Sequence, residues 1–444
     1  MRKFPNALVI MIGFIIISSL LTYIIPHGEY ERITNKETNQ ITVVPGSYRV
    51  IDDEPLSVFE TFMSIPRGII ERADLVVLIL LIGGCFFVIE RTGALEEGVV
   101  YLTVKLEGKE EIALILVSIM FAAGGALIGL QEEIIAMTPV LLYFTARIGF
   151  NPFVAVAISY GSAIIGASFS PINPFAVVIA QNLAELPFLS GSVFRLLILT
   201  VVFIFYMYLI IRYANRNKIP KVIDTDVTKE SISKRSVIIL FLLVIAFIIL
   251  IYGMLKLNWG FNEMTAEFFV LGIIVGLIGK LGINGTSEAY IEGFKTMIFA
   301  AIILGLANSI SLILKQGMII DTIIYGLFTP MQYLPKSFAA ISMMMSQALL
   351  HFPVPSYSGQ AILTMPILLP LSDLIGLSRQ VCVLAYQYGA VMMDMLVPTN
   401  GALMAIIAIA GISFNKWFKF AFKLTLFILG VGALAIIIAI YIGF

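Results

Sequence analysis

The chain has 444 residues, of which 59% are hydrophobic and 13% are charged, and its 28 basic and 28 acidic side chains leave no formal net charge. A soluble protein of this length would carry about 25% charged residues, and the mean hydropathy here is +1.00. These values exclude a large soluble all-α protein, and the zero net charge implies no nucleic-acid partner. We predict an all-α polytopic membrane protein that lies in the lipid bilayer.

Apolar stretches suited to membrane-spanning helices recur along the whole chain. The first follows two basic residues, but it is too long for a signal-peptide core and no Ala-x-Ala cleavage site follows it, so we predict a retained first helix. Cys85 and Cys382 lie within apolar stretches and are interpreted as small buried hydrophobic residues. Examples of the stretches are Ala7–Ile25, Leu75–Ile89, Val237–Leu255, Phe268–Ile283 and Phe420–Phe444.

The distribution of Lys and Arg predicts the side of the membrane on which each loop lies. With a cytoplasmic N-terminus, residues 26–70 lie outside, and their sequence "TVVPGSYRV" indicates a small β-turn structure. Helix 73–90 then returns inward, and residues 92–110 follow the cytoplasmic interface.

The next stretch is apolar between Lys109 and Arg147, two basic residues that we expect on the same side. Its polar centre reads "GGALIGLQEE", residues 124–133. This pattern predicts a re-entrant hairpin with its tip at 124–133. Non-helical backbone at membrane depth persists only where it is buried in protein or lines a wet cavity, so the tip is a candidate site. Two short crossings or one kinked helix is the alternative.

The following helix is interrupted by "SPINP", residues 170–174. Proline removes a backbone donor and clashes with the preceding turn, and an Asn side chain can bond to the freed backbone groups. We therefore predict a helix broken at Ser168–Pro174. Its half-helix ends would face a ligand or ion at the midplane of the membrane.

A linker with seven basic residues, "RYANRNKIPKVIDTDVTKESISKR" at 212–235, is predicted to be cytoplasmic. Beyond it, landmarks of the first half recur at an offset of 227 residues, as Pro139 with Pro366 and Asn173 with Asn400. This regularity indicates an internal repeat.

The second copy runs from Lys336 to Arg379 with a tip at "HFPVPSYSGQ", residues 351–360, and then breaks at "VPTNG" within Leu396–Gly401. An odd number of predicted crossings separates the two copies, so we predict that they are inverted. Inverted-topology repeats are typical of secondary transporters, with the substrate held at the midplane between the copies.

Polar side chains at the predicted midplane form the candidate substrate site, because intramembrane carboxylates are costly and usually functional. No Lys or Arg is predicted at that depth, and Glu71, Arg72 and Asp74 are interpreted as interfacial charges at a helix end. His351 is interpreted as a structural residue rather than a proton carrier. The candidate set is Gln131, Glu132, Glu133, Ser168, Ser170, Asn173, Ser356, Tyr357, Ser358, Gln360, Asp394, Thr399 and Asn400.

At these residues the sequence resembles the ion transporter superfamily. Within it, the chain is most similar to the YfcC / C4-dicarboxylate anaerobic carrier (DcuC-like) group, which includes ArcD-type basic amino-acid antiporters. "PHGEYER" and "VPGSY" in the external loop, "SPINPF" at the first break and "VPTNG" at the second carry the likeness. It implies an elevator-type transporter, with a scaffold domain that dimerises and a transport domain that moves. It also implies exchange or ion-coupled uptake of small organic ions.

These expectations divide the chain into two domains, each with two halves. The scaffold consists of 1–110 and 236–330, the transport domain of 111–213 and 331–444, and the basic linker of 214–235. We expect a homodimer in the bacterial inner or plasma membrane, with the N-terminus in the cytoplasm.

The acidic residues favour a basic amino acid such as arginine or ornithine as the substrate, taken up or exchanged. A Na⁺- or H⁺-coupled C4-dicarboxylate or other carboxylate transporter is the alternative, and a channel is favoured less. The sequence has no His-Glu-x-x-His, Gly-x-Ser-x-Gly or nucleotide-binding motif, so we expect no enzyme activity and no cofactor. Na⁺ or H⁺ is the expected coupling ion, with Na⁺ near Asn173 and Asn400.

Overall fold

The computed structural model describes residues 7–34, 41–52, 54–95, 97–98, 101, 109–187, 189–220, 232–257 and 259–444. Helices account for most of this part of the chain. In the first half they are α1 (Ala7–Ile24), α2 (Val58–Glu71), α3 (Ala73–Arg91), α4 (Glu110–Ile128), α5 (Glu133–Arg147), α6 (Pro152–Ser168), α7 (Pro174–Leu183) and α8 (Ser192–Arg216).

The second half contains nine further helices within the described residues. They are α9 (Lys234–Lys256), α10 (Phe261–Ile278), α11 (Gly282–Gln316), α12 (Ile320–Phe328), α13 (Lys336–Leu350), α14 (Tyr357–Leu374), α15 (Arg379–Met392), α16 (Gly401–Ile409) and α17 (Phe414–Tyr441). Short 3₁₀ turns at Thr329–Tyr333 and Met393–Met395 extend α12 and α15.

By length and apolar composition, six described helices could cross a membrane: α3, α4, α8, α10, α11 and α17. Helix α1 confirms the predicted first helix to within one residue at its end. About half of the predicted interfacial segment 92–110 and about half of the basic linker lie outside the described residues. Helix α8 continues to Arg216, and α9 begins at Lys234.

The predicted β-turn structure after α1 consists of two short antiparallel ribbons. Strand β1 (Gly28–Glu29) pairs with β4 (Arg49–Val50), and β2 (Arg32–Thr34) pairs with β3 (Ile41–Val43). The ribbons are anchored on α12, where Arg32 donates two hydrogen bonds to Asp321 and Tyr48 stacks on Tyr325 at 4.2 Å.

Helix α2 corrects the prediction that all of 26–70 is an external loop. Ser57 and Glu60 form a capping box that starts this helix. Its glycine face lies against α11, because a Cβ on Gly68 would lie 2.2 Å from the Ser309 hydroxyl. Contacts of Gly83 with Met297 continue the same antiparallel packing along α3. Helices α2 and α3 thus follow the 35 residues of α11, and Arg72 lies at their junction.

The first hairpin is formed by α4 and α5. Its two ends meet at the end of α8, where Asn215 donates to Glu111 at 2.7 Å and Asn151 donates to the Asn217 carbonyl at 3.3 Å. The chain therefore reverses at its tip, residues 129–132. We predicted a longer tip at 124–133, but Gly124 and Gly125 are helical. A Cβ on Gly125 would lie 2.0 Å from the Ala163 carbonyl oxygen, so glycine is required for this close packing of α4 on α6.

The second hairpin is formed by α13 and α14, and it reverses in the same way. The ammonium of Lys336 lies 3.1 Å from the position that a Cβ on Gly376 would take, so the two ends are neighbours. The tip covers residues 351–356, shorter than the predicted 351–360. The Ser356 hydroxyl accepts from the Gly359 amide at 3.3 Å and starts α14 there, four residues before the predicted end of the tip.

An interrupted helix follows each hairpin, as predicted. The first consists of α6, residues 169–173 and α7, and the second of α15, residues 396–400 and α16. Helices α6 and α15 are almost completely buried and contact each other at the centre of the molecule. The hairpin plus broken helix is therefore present twice. The placement of the two copies relative to a bilayer stays a prediction.

Candidate functional site

Asp394 is the centre of a buried polar cluster at the second break. Its side chain is only 2% exposed. Oδ1 accepts a hydrogen bond from the Asn400 amide at 2.5 Å and lies 2.7 Å from His351 Nε2. Oδ2 accepts from the Tyr357 hydroxyl and from the Gln131 amide. A carboxylate buried at this depth needs such partners, because an unpaired buried charge is very costly.

The cluster joins both hairpin tips to the second break. Gln131 comes from the first tip, His351 and Tyr357 from the second, and Asn400 from the break itself. Gln131, Tyr357, Asp394 and Asn400, which the sequence analysis included in the candidate site, thus lie within hydrogen-bond distance although Gln131 and Tyr357 are far from Asp394 in the sequence.

A cavity adjoins this cluster and contains several of the predicted site residues. Glu132 and Thr399 line it together with Gln131 and Asn400, and a connected space is lined by Glu133, Ser356, Tyr357, Ser358 and Asp394. Most of the predicted site therefore forms one surface. Gln360 is the exception on the second tip, because it is fully buried behind His351.

Arg72, which is exposed at the α2–α3 junction, also lines this cavity together with Glu132, Thr399 and Asn400. No Lys or Arg was expected beside the breaks, and Arg72 corrects this. Its interpretation as an interfacial charge stays a prediction. Arg72 donates a long hydrogen bond of 3.4 Å to Asn308 of α11. Glu71, in contrast, accepts from Asn308 at 2.9 Å and lines the outer part of the space.

The cavity continues from Arg72 toward the external ribbons. Lys315 lines this outer part, together with Arg32 and its ion-pair partner Asp321. In this outer part, Arg72 and Lys315 have no ion-pair partner among the described residues, and Glu71 is the acidic residue without one. Unpaired cationic groups therefore outnumber unpaired anionic groups here.

The two Pro-x-Asn patterns perform the same local task. The Asn173 side-chain oxygen accepts from the amides of Phe175 and Ala176 at 3.0 and 2.8 Å, and that of Asn400 accepts from the Leu403 amide at 2.8 Å. Each Asn is the N-cap of the second half-helix, which satisfies amides that have no partner within the helix. This confirms that the Asn side chains bond to backbone freed by the breaks.

The first break, however, does not contribute side chains to the cavity in this conformation. Ser168, Ser170 and Asn173 are fully buried. Ser168 donates to the Met392 sulfur at 3.7 Å, Ser170 to the Ala126 carbonyl at 2.8 Å, and Asn173 to the Gly125 carbonyl at 2.8 Å. Their assignment to the substrate site stays a prediction.

Sequence reasoning missed Arg72 and Asn308 and undervalued His351. No local pattern in the sequence relates Arg72 or Asn308 to the second break, because all three come from distant segments of the chain. Arg195 was also missed. It is fully buried, and its guanidinium donates to Gln387, Gln380 and the Ser190 carbonyl at 2.9–3.1 Å.

Within the described part of the chain, no group of three or more His, Cys, Asp or Glu side chains is arranged to hold a metal ion. The proposed Na⁺ near Asn173 and Asn400 is not tested by this, because Na⁺ also binds carbonyl and amide oxygens.

Comparison with known proteins identifies the family. The model of the C4-dicarboxylate anaerobic carrier family (DcuC) matches residues 4–441. The chain belongs to this family. It is therefore a membrane carrier, and the family resemblance found in its motifs is confirmed.

Two relatives match over nearly their whole length. A protein of Haemophilus influenzae (strain Rd) is 30% identical over 496 residues, covering 99% of this chain and 97% of the relative. An Escherichia coli (strain K12) protein named "Putative basic amino acid antiporter YfcC" is 28% identical over 465 residues, covering 94% and 92%.

Two solved structures are similar at 14% sequence identity. They are the Alcanivorax borkumensis YdaH transporter, with a TM-score of 0.44 and 99% of both chains covered, and Neisseria gonorrhoeae MtrF, with a TM-score of 0.42 and 98% and 95% covered.

The geometry at the breaks makes a testable prediction about the two asparagines. Asn173→Ala and Asn400→Ala should each lower the free energy of unfolding by about 0.5–2 kcal/mol, because each removes an N-cap. Asn400→Ala should in addition reduce substrate transport strongly, since its amide also donates to Asp394 and lines the cavity. Thermal unfolding in detergent and uptake into proteoliposomes measure the two effects.

Asn182→Ala is the matched control, because Asn182 is exposed on α7 and caps no helix. Its stability and transport should equal those of the wild type. Normal transport by Asn400→Ala at equal protein density would contradict the role given to Asn400.

Proposed function

We propose that the protein is a secondary active transporter that takes up or exchanges a basic amino acid of the arginine or ornithine type. The observation that carries this proposal is that Arg72 and Glu132 line one cavity together with Gln131, Thr399 and Asn400. A basic amino acid has one carboxylate and two cationic groups. Arg72 is available for the carboxylate, and Glu132 and Glu133 are available for the two cationic groups.

Arg72 would bind the α-carboxylate of the substrate. A guanidinium presents its N–H groups in a planar fork that matches a carboxylate. Among the described residues, no carboxylate forms an ion pair with Arg72, and its bond to Asn308 is long at 3.4 Å. The guanidinium can therefore turn toward a ligand.

Glu132 would bind the cationic group of the substrate. It lies on the first tip and lines the same cavity as Arg72, with Glu133 next to it in the sequence. Polar groups of Thr399 and Asn400 complete the surface between them. The name of the Escherichia coli relative supports the same substrate class.

A C4-dicarboxylate is the second candidate, and one observation favours it. Arg72 and Lys315 line the same outer space, so two cations are available for two carboxylates. The description of the family supports this candidate. Glu132 opposes it, because a dianion would meet that carboxylate at the inner end of the cavity.

For the mechanism, we propose an elevator movement of the transport domain (111–213 and 331–444) against the scaffold (1–110 and 236–330). The two copies of hairpin plus broken helix support an inverted repeat of this kind. The cavity lies between Leu304 of α11 and the second break, so a sliding movement would carry the site past α11. We further propose a homodimer in the inner or plasma membrane with a cytoplasmic N-terminus.

Substitution of the two charged residues tests the substrate. In liposomes loaded with ornithine, the wild type should exchange labelled arginine. Glu132→Gln should weaken arginine binding by about ten- to a hundredfold, since a hydrogen bond to a charged group is worth about 1.5–3 kcal/mol. Arg72→Gln should weaken the binding of arginine and of succinate alike, because both need a carboxylate partner.

Arg67→Gln is the control for Arg72→Gln, because Arg67 is exposed on α2 and lines none of these cavities. It should exchange arginine as the wild type does. Succinate exchange by the wild type without arginine exchange would reject the basic amino acid and support the second candidate.

A disulfide between the proposed domains tests the elevator movement. A Cβ on Gly401 would lie 3.4 Å from the Leu304 Cα, which is close enough for a Leu304→Cys, Gly401→Cys pair to bridge. With Cys85 and Cys382 replaced by Ala, oxidation should stop exchange and a reductant should restore it. The single Leu304→Cys variant is the control. Full exchange by the oxidised double variant would reject a sliding movement at this contact.

Static light scattering of the purified protein in detergent tests the proposed homodimer. We expect a protein mass of twice 48.8 kDa at concentrations used for transport. A monomer mass across the concentration series, with transport retained on reconstitution, would reject dimerisation.

A further inference from the structure

His351 and Asp394 form a buried pair at the centre of the polar cluster. Their side chains are 0% and 2% exposed, and His351 Nε2 lies 2.7 Å from Asp394 Oδ1. Asp394 also lines the space that Arg72, Glu132 and Tyr357 line, whereas His351 does not. The hydrogen-bond partners of the pair determine how many protons it holds.

The first constraint comes from Gln360. Its amide nitrogen donates to the Gln347 backbone carbonyl at 2.7 Å. A carbonyl can only accept, so the orientation of the Gln360 amide is fixed. The Gln360 oxygen therefore faces His351 Nδ1 at 2.8 Å. Since this oxygen can only accept as well, Nδ1 must carry a hydrogen.

The second constraint comes from the partners of Asp394. The Asn400 oxygen accepts from the Leu403 amide, which fixes its nitrogen as the donor to Oδ1. Tyr357 and Gln131 donate to Oδ2. Three donors other than His351 thus stabilise an ionised carboxylate.

These constraints leave the contact between His351 Nε2 and Asp394 Oδ1 without an assigned hydrogen. If His351 carried only the Nδ1 hydrogen, the lone pair of Nε2 would face the lone pairs of Oδ1 at 2.7 Å. One more proton between Nε2 and Oδ1 turns this repulsion into a charge-assisted hydrogen bond. The hydrogen-bond partners of the two side chains thus favour an imidazolium paired with a carboxylate.

We propose that His351 and Asp394 are the proton-binding site of the carrier. The site takes one proton from water onto Nε2, which makes the pair neutral as a whole. On release, that proton returns to water and leaves a neutral imidazole with its hydrogen on Nδ1 beside a carboxylate, with a net charge of −1. The coupling of this step to transport rests on the proposed function.

Proton binding at this pair bears on the movement of the hairpin tips. Asp394 lies on the second broken helix, and its partners come from both tips. Loss of the proton removes the attraction between His351 and Asp394 and leaves like lone pairs in contact, which loosens the second tip. The charge of the site and the position of the tip are thus linked through one contact.

Other ionisable groups face the pair from the surrounding elements. Tyr357 donates to the carboxylate, and the Tyr160 hydroxyl of α6 donates to the Asp394 carbonyl at 3.1 Å. Glu132 and Glu133 of the first tip and Arg72 line the adjoining cavity.

The ligand of this site is a proton rather than Na⁺. The partners of the Asp394 oxygens are N–H and O–H groups, which repel a cation. Asn400 also turns its nitrogen toward Asp394, while its oxygen is occupied by the Leu403 amide. In this conformation the donors around Asn400 leave no oxygen cage for Na⁺ among the residues of the described cluster.

Nitrogen NMR of the histidine rings tests the proton site without any substrate. The chain contains only two histidines, His27 and His351. Protein labelled with ¹⁵N at the imidazoles in a His27→Gln background therefore reports on His351 alone. We expect the protonated ring to be an imidazolium and the deprotonated ring, reached as the pH is raised, to lose the hydrogen on Nε2 and keep the one on Nδ1. A neutral ring with its hydrogen on Nε2 and a bare Nδ1 would overturn the proposal.

Proton movement during transport tests the coupling. Liposomes with an internal pH indicator and an imposed arginine gradient should show proton movement for the wild type and for His27→Gln. His351→Gln should abolish the proton movement that accompanies arginine, because a glutamine side chain cannot take up a proton in this pH range. An unchanged proton-to-arginine ratio in His351→Gln would overturn the proposal.

The NMR and proton-movement measurements distinguish an error in the proton site from an error in the proposed substrate. Absence of arginine transport in the wild type would reject the proposed substrate, while the NMR result would still decide the proton site. Arginine transport by the wild type without any proton movement would overturn the coupling itself. The NMR experiment needs no variant at position 351, so it holds even if His351→Gln does not fold.

Discussion

The requirement that every backbone amide and carbonyl find a partner within the protein controls how this structure interrupts its helices. In an apolar environment water cannot satisfy the freed groups, and each unsatisfied group costs several kcal/mol. Helices α7 and α16 each begin at a break, and the amides of their first turns are capped by Asn173 and Asn400. The repeated Pro-x-Asn pattern is the local solution to this requirement, because proline ends one half-helix and asparagine starts the next.

The same two asparagines also account for the difference between the halves. The Asn173 amide nitrogen bonds to the Gly125 carbonyl, whereas that of Asn400 bonds to the Asp394 carboxylate. The first break is thereby closed by backbone of its own hairpin, and the second break becomes the centre of the polar cluster. The first half contributes to the site through its tip, where Gln131 reaches Asp394. The two repeated breaks thus differ in their chemistry, because the first asparagine bonds to a backbone carbonyl and the second to a buried carboxylate.

Much of this arrangement could be predicted from the sequence, because hairpins and breaks leave local signals. Polar tips within apolar stretches and the Pro-x-Asn patterns located both hairpins, both breaks and most residues around Asp394. Helix α2 was missed because its burial depends on α11, which lies far away in the sequence and packs against Gly68. Arg72 was left out of the candidate site for the same reason. Its place beside the second break depends on α11, where Asn308 accepts its hydrogen bond and lines the same cavity.

The position of Arg72 changes how the charges of the site bear on the substrate. If only the carboxylates are counted, the site is strongly negative, which favours a cationic substrate. If the proton shared with His351 balances Asp394, that carboxylate no longer contributes a net charge to the cavity. The groups that a substrate meets are then chiefly Arg72 on one side and Glu132, with Glu133 beside it, on the other. A substrate with both signs of charge matches this surface better than a dianion, since discrimination depends on repulsion of the wrong partner as much as on attraction of the right one.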